Sequence, residues 1–187
     1  MEHFLPELLR FFSYTAYGLI LTLIPDWSEH LGAENKGVFF TAFTIASVLV
    51  RFGAGKVSDR HGRTNVILAG LIITSIALFV ISTGNSITVL LTGAAIYGMG
   101  TGILSPAINA WTIDLSNPQH RGKAIATMYI SMELGIGLGA LLGGSYYSDQ
   151  ISRIPQIMKI DILVLFMGVL YLLYWKRKSA NKKIQNN

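Results

Sequence analysis

The chain has no cysteine, which excludes disulfide staples, thiolate metal sites and thiol nucleophiles. Charge is the next scarcity. Only 13% of its 187 residues are Asp, Glu, Lys or Arg, about half of what a soluble domain carries. There is no Gly-x-x-x-x-Gly-Lys-Ser/Thr loop to cradle a nucleotide phosphate, so work driven by ATP on this chain is not expected. No His/Asp/Ser constellation or metal-ligand cluster appears, so neither enzymatic activity nor a cofactor or metal is expected. The first ten residues carry Glu2 and Glu7 and lack a basic n-region, and no small-residue cleavage site follows the first apolar run. The first helix is therefore expected to stay in the protein.

What the sequence has in excess is hydrophobicity: 51% of residues are apolar and the mean hydropathy is +0.49. That defines a polytopic, all-α membrane protein. The net charge of +5 does not call for a nucleic-acid partner. Lys176, Arg177, Lys178, Lys182 and Lys183 crowd the last positions, the pattern of a basic tail beside anionic headgroups.

A hydrocarbon core roughly 30 Å thick needs about 20 apolar residues in helix. Six stretches meet this, at about 8–26, 37–53, 65–82, 87–113, 124–147 and 157–175, within one domain of residues 1–178 followed by a tail of 179–187. Six crossings put both ends on one side. Lys56, Arg60, Arg63, Arg121, Lys123 and the tail lysines fall on that side with Arg10 and Arg51, against Lys36, Arg153 and Lys159 opposite. The first side is expected to be the cytoplasm and the membrane the cell membrane.

The most specific word lies between the second and third spans, where Gly55 to Arg63 read Gly-Lys-Val-Ser-Asp-Arg-His-Gly-Arg. So many ionisable groups cannot lie in hydrocarbon, so the segment is expected to be a tight polar loop at the membrane surface. Gly55 would end one helix, Gly62 would permit the reversal, and Asp59 would cap the next helix or pair with an arginine. Its basic residues also serve as topology determinants.

Polarity is uneven among the spans. The third offers nothing more polar than Thr74 and Ser75 and reads as peripheral. The first has Ser13, Tyr14, Thr15 and Tyr17; the fourth Tyr97, Thr101, Ser105 and Asn109; the fifth Tyr129, Ser131 and Glu133. These are candidates to line something wet, although hydroxyls also bond the preceding turn or a neighbouring helix. Pro106 removes a ladder bond from the fourth span and frees a carbonyl that Thr101 or Ser105 could satisfy.

Glu133 is the residue best placed to carry chemistry. It lies about 15 Å along its helix from Lys123, near the midplane, where a carboxylate costs several kcal/mol unless paired, solvated or protonated. Gly135, Gly139 and Gly143 form a small-xxx-small ridge for close packing, and Glu133 projects away from it on the side of Tyr129. It could exchange a proton or meet a cationic solute, or simply be fixed by bonds to a neighbouring helix. Asn109, Tyr14, Tyr17 and Tyr129 are candidate companions on a proton or substrate path. Asp161, close to Lys159, reads as interfacial at the outer end of the last span.

Gly55, Asp59, Arg60, Gly62 and Arg63 match the Gly-x-x-x-Asp-Arg-x-Gly-Arg pattern that joins the second and third helices of each half of major facilitator superfamily transporters. Pro118 to Gly122 resembles the Arg-Gly loop between the fourth and fifth helices of a half, and Gly135 to Gly144 the glycine-rich fifth helix. The resemblance spans the chain. It implies one six-helix half, a 3+3 inverted repeat, of a twelve-helix bundle. The basic tail, the absence of an intramembrane arginine in the fourth span and the absence of a Gly-Pro step in the fifth favour the C-terminal half.

The resemblance further implies that Asp59 and its arginines, with Asp114 and Arg121, form a cytoplasmic latch that breaks as two halves rock. The cavity would be lined by helices 1, 2, 4 and 5, with 3 and 6 as outer supports. The function so implied is secondary active transport of a small solute (sugar, drug or metabolite) by alternating access, as proton-coupled efflux. The partners are the solute, a coupling ion, the lipid bilayer, and a second six-helix half or a second copy. The alternative is a truncated half that does not transport and acts only as a structural or partner-binding membrane protein.

Overall fold

A computed structural model describes the backbone of residues 5–185 and the side chains of residues 5–178. Its long helices are α1 (Leu5–His30), α2 (Val38–His61), α3 (Arg63–Thr83), α4 (Ile87–Leu115), α5 (Arg121–Tyr147) and α6 (Ile154–Gln185), and each is long and apolar enough to cross a membrane. Single 3₁₀ turns, Pro118–His120 and Ile151–Arg153, precede α5 and α6.

The helices interlock through absent side chains. α1 lies against α5, and a Cβ at Gly139 would collide with the Thr15 carbonyl oxygen. A Cβ at Gly135 would lie 2.6 Å from the Phe11 carbonyl oxygen, so the glycine ridge read from the sequence is where α5 meets α1. α4 is gripped on two sides. A Cβ at Gly102 would lie 2.8 Å from the Ser47 carbonyl of α2, and one at Gly100 2.9 Å from the Thr74 amide of α3. Helices this close gain dispersion contacts along their backbones, which substitutes for a hydrophobic driving force that lipid cannot supply.

The reversal between α2 and α3 differs from the sequence expectation. Residues 55–63 do not form a loop: α2 stays helical through His61, and α3 starts at Arg63. Gly55 lies inside α2 rather than ending it, and the whole turn is made at Gly62, whose φ of 85° is a conformation that a side chain would strain. Lys56, Ser58, Arg60 and His61 are tolerable helix residues, so the α2 ladder runs on beyond the apolar stretch. Likewise α6 continues to Gln185, past the apolar segment that ends near Trp175.

Burial is distributed asymmetrically. In the apolar windows of α1 and α3, 56% and 50% of residues are buried, but only 17% in each of α2 and α5. Ile45, Leu49 and Phe52 on α2 and Ile130, Leu134 and Leu141 on α5 are all more than half exposed.

Candidate functional site

Between α1, α2, α4 and α5 lies a cleft of about 320 Å³. No residue of α3 or α6 lines it. Tyr14 and Tyr17 of α1 form its aromatic wall, joined edge-to-face at 5.8 Å, and Phe43 and Tyr97 continue the cluster with centroids 5.6 Å apart. Polarity comes from Ser13, Thr44, Ser47, Thr101 and Ser105, and charge from Arg51.

Arg10 underlies this wall. It is 2% exposed, donates to the Ser105 carbonyl at 3.3 Å and its hydroxyl at 3.1 Å, and reaches the Met132 sulfur at 3.7 Å. The guanidinium sits 4.7 Å from the Tyr14 ring centroid, a cation–π contact. Its partners are neutral: no described carboxylate forms an ion pair with it, and Nε has no hydrogen-bond partner. Arg10, expected as a surface topology mark, is instead a buried cation behind the cleft. Ser105, expected to repair the carbonyl freed by Pro106, accepts from Arg10 instead, while Thr101 bonds the Tyr97 carbonyl at 3.0 Å.

The other path candidates separate. Tyr14 and Tyr17 line the cleft. Tyr129 is 45% exposed, and Glu133 is exposed on α5, outside the cleft lining and without a hydrogen bond to a described residue. Asn109 stands one turn from Ser105, and its Oδ1 is buried without a partner.

At the Gly62 end, one arginine gathers three helices. Arg63, the first residue of α3, binds Asp59 of α2 at 2.5 Å, Asp114 of α4 at 3.0 Å and the Ser58 hydroxyl at 3.2 Å. Asp59 does not cap α3, whose N-cap is Gly62. The cluster ties helix ends within the half; Gly55, Arg60 and Arg121 are exposed and stand outside it. Ion pairs this wet contribute about 0–1 kcal/mol each. Arg63→Ala, which removes both pairs, is therefore expected to lower the melting temperature by a few degrees at most and to raise cysteine labelling of the Gly62 end about fivefold. Asp59→Asn should give the smaller effect of the two, and equal labelling in all three proteins would contradict the role.

The sixth helix holds the residue whose place the sequence misjudged. Asp161 is not interfacial: it is 3% exposed and accepts a hydrogen bond from Thr15, in the middle of α1, at 2.9 Å. Neither Arg10 nor Asp161 carries a sequence signal of burial, since each is covered by helices distant in the chain.

Six close-packed spanning helices, glycine-mediated contacts and a polar cleft beside two uncovered helix faces define a multi-pass membrane protein of the kind from which transporters are built. A profile of the Major Facilitator Superfamily matches residues 8–187, and the chain belongs to that family.

Among curated proteins it is 25% identical over 179 residues to the quinolone resistance protein NorA of Staphylococcus aureus, covering 94% of this chain and 46% of NorA. It is 26% identical over 165 residues to multidrug resistance protein 2 of Bacillus subtilis, covering 82% and 41%. Of solved structures, the human organic anion transporter MFSD10 superposes with a TM-score of 0.74 at 23% identity, over 91% of this chain and 46% of that one. The POT family transporter PepTSo gives 0.75 at 18% identity, over 94% and 36%. The chain thus spans less than half the length of these relatives, and at such identities the structural likeness concerns the fold.

Proposed function

We propose that this chain forms one side of an alternating-access pathway for a small solute, as the C-terminal-type half of a proton-coupled exporter in the cell membrane, with its Gly62 end and both termini at the cytoplasm. The observation that carries this reading is the pairing of a polar cleft with two uncovered helix faces. The cleft is lined by α1, α2, α4 and α5, and the helices at its rim, α2 and α5, are the two that the half leaves least buried. A second six-helix unit seated on α2 and α5 would roof the cleft at mid-membrane, where secondary transporters hold their solutes.

The wall facing that space bears Arg51, with Arg10 behind it, and no carboxylate among its lining residues. An amphiphilic solute with an anionic group would find its best seat here, aromatic surface against Tyr14, Tyr17 and Phe43, negative charge toward Arg51. Glu133, exposed on the α5 flank, is the proposed proton carrier.

In vesicles holding the complete assembly, an imposed pH gradient is expected to drive uptake of an anionic aromatic dye in preference to its neutral ester, with a protonophore abolishing it. Equal, gradient-independent leakage of both dyes would contradict transport and leave the non-transporting half as the reading.

A further inference from the structure

α1 separates two hollows. On the side away from the central cleft, α1, α5 and α6 enclose a groove of about 410 Å³ that shares no lining residue with the cleft. Its walls are almost wholly apolar: Phe12 of α1, Leu138, Leu142 and Tyr146 of α5, and Met167 of α6 are among them. Leu142 is 64% and Met167 53% exposed, so the groove opens on the outer flank of the bundle.

Set in this wall is Asp161, about 10 Å along α6 from its start at Ile154. Thr15 supplies a single hydrogen bond to Oδ1; Oδ2 is buried with no partner, and no described cationic side chain forms an ion pair with the carboxyl. A carboxyl in such a place is costly, and most of the residues that line the groove with it are apolar. An apolar hollow whose one acidic group has a free acceptor is complementary to a single ligand chemistry, an organic cation with an apolar body. The ammonium or phosphonium centre would meet Asp161 while the body replaces lipid against Phe12, Leu138 and Leu142.

We infer that the α1/α5/α6 groove is a bilayer-facing binding site for a lipophilic organic cation, with Asp161 as its counter-charge and Thr15 holding that carboxyl in place. The site stands independently of the transport reading, because it needs neither a second half nor an ion gradient.

The test is equilibrium binding of radiolabelled tetraphenylphosphonium at pH 8 to the full chain in phosphatidylcholine nanodiscs, with tetraphenylborate, of the same shape and opposite charge, as competitor. Saturable binding by the unaltered chain is expected, weakened at least tenfold by Asp161→Asn and by Leu142→Trp, which fills the groove from an exposed position and leaves the core untouched. Tetraphenylborate should not compete. Undiminished binding to the folded Asp161→Asn chain, effective competition by tetraphenylborate, or no saturable binding to the folded unaltered chain would each overturn the proposal.

Discussion

Glu133→Gln is expected to abolish gradient-driven flux in the complete assembly while leaving membrane insertion and thermal stability unchanged. Among the described acidic residues, Glu133 and Asp161 are set deep within spans, and Glu133 is exposed on α5, one of the two helices on which the proposed second unit would sit. The neutral amide keeps the shape and can still hydrogen-bond, but cannot release a proton. Structural cost should be negligible, because Glu133 is exposed and makes no hydrogen bond or ion pair within the described half. The contact of α5 with α1 is made by Gly135, Gly139 and Gly143 on another face of the helix. A loss of proton-coupled flux of at least about tenfold, equivalent to ~1.4 kcal/mol or more, should therefore appear with an unshifted melting curve. Unchanged flux between pH 6 and 8 would remove Glu133 from the mechanism.

The second large effect concerns Arg10. A buried cation whose partners are a carbonyl, a hydroxyl and a thioether keeps much of its desolvation cost, so an apolar side chain of similar length removes that cost and offsets the loss of the two hydrogen bonds to Ser105. Arg10→Met is expected to leave the melting temperature unchanged or raised by a few degrees, since the methionine stem can occupy the space beside Tyr14 and Met132. Transport of solutes carrying an anionic group should fall at least about tenfold, because the positive potential behind the cleft wall is gone. Arg10→Lys should retain part of it through charge alone, without the planar contact to Tyr14. If Arg10→Met unfolds the chain, the arginine is structural; if the chain stays folded and anion flux is unaltered, the cleft does not select by this charge.

How far the sequence carried these conclusions depends on the range of each interaction. The six spans were legible because each is a continuous apolar stretch, and hydropathy is a local property. The glycine ridge of α5 was legible too, since its four-residue spacing alone places Gly135, Gly139 and Gly143 on one face. The reversal at Gly62 was read too wide, because Gly55 and the charges that follow it looked like an interruption, whereas backbone hydrogen bonding continues through them at little cost. Arg10 and Asp161 were misplaced for a different reason. Counting residues from a helix end gives depth, but whether a side chain meets lipid, water or protein depends on the helix beside it. Ser105 lies 95 positions from Arg10, and Thr15 lies 146 from Asp161. For Glu133 the depth was legible, while its surroundings depend on what covers α5.

That cover is the centre of the proposed function. The cysteine-free sequence allows a single photo-crosslinker to be attached at Phe52 on α2 or Leu141 on α5, 81% and 65% exposed, with Phe79 on α3, 57% exposed, as the outward-facing control. After illumination in intact membranes and digestion, the expected result is adduct peptides at positions 52 and 141 from the spans of a second six-helix unit, and lipid adducts alone at position 79. Lipid adducts alone at all three positions would mean that α2 and α5 face the bilayer and that no second half closes the cleft.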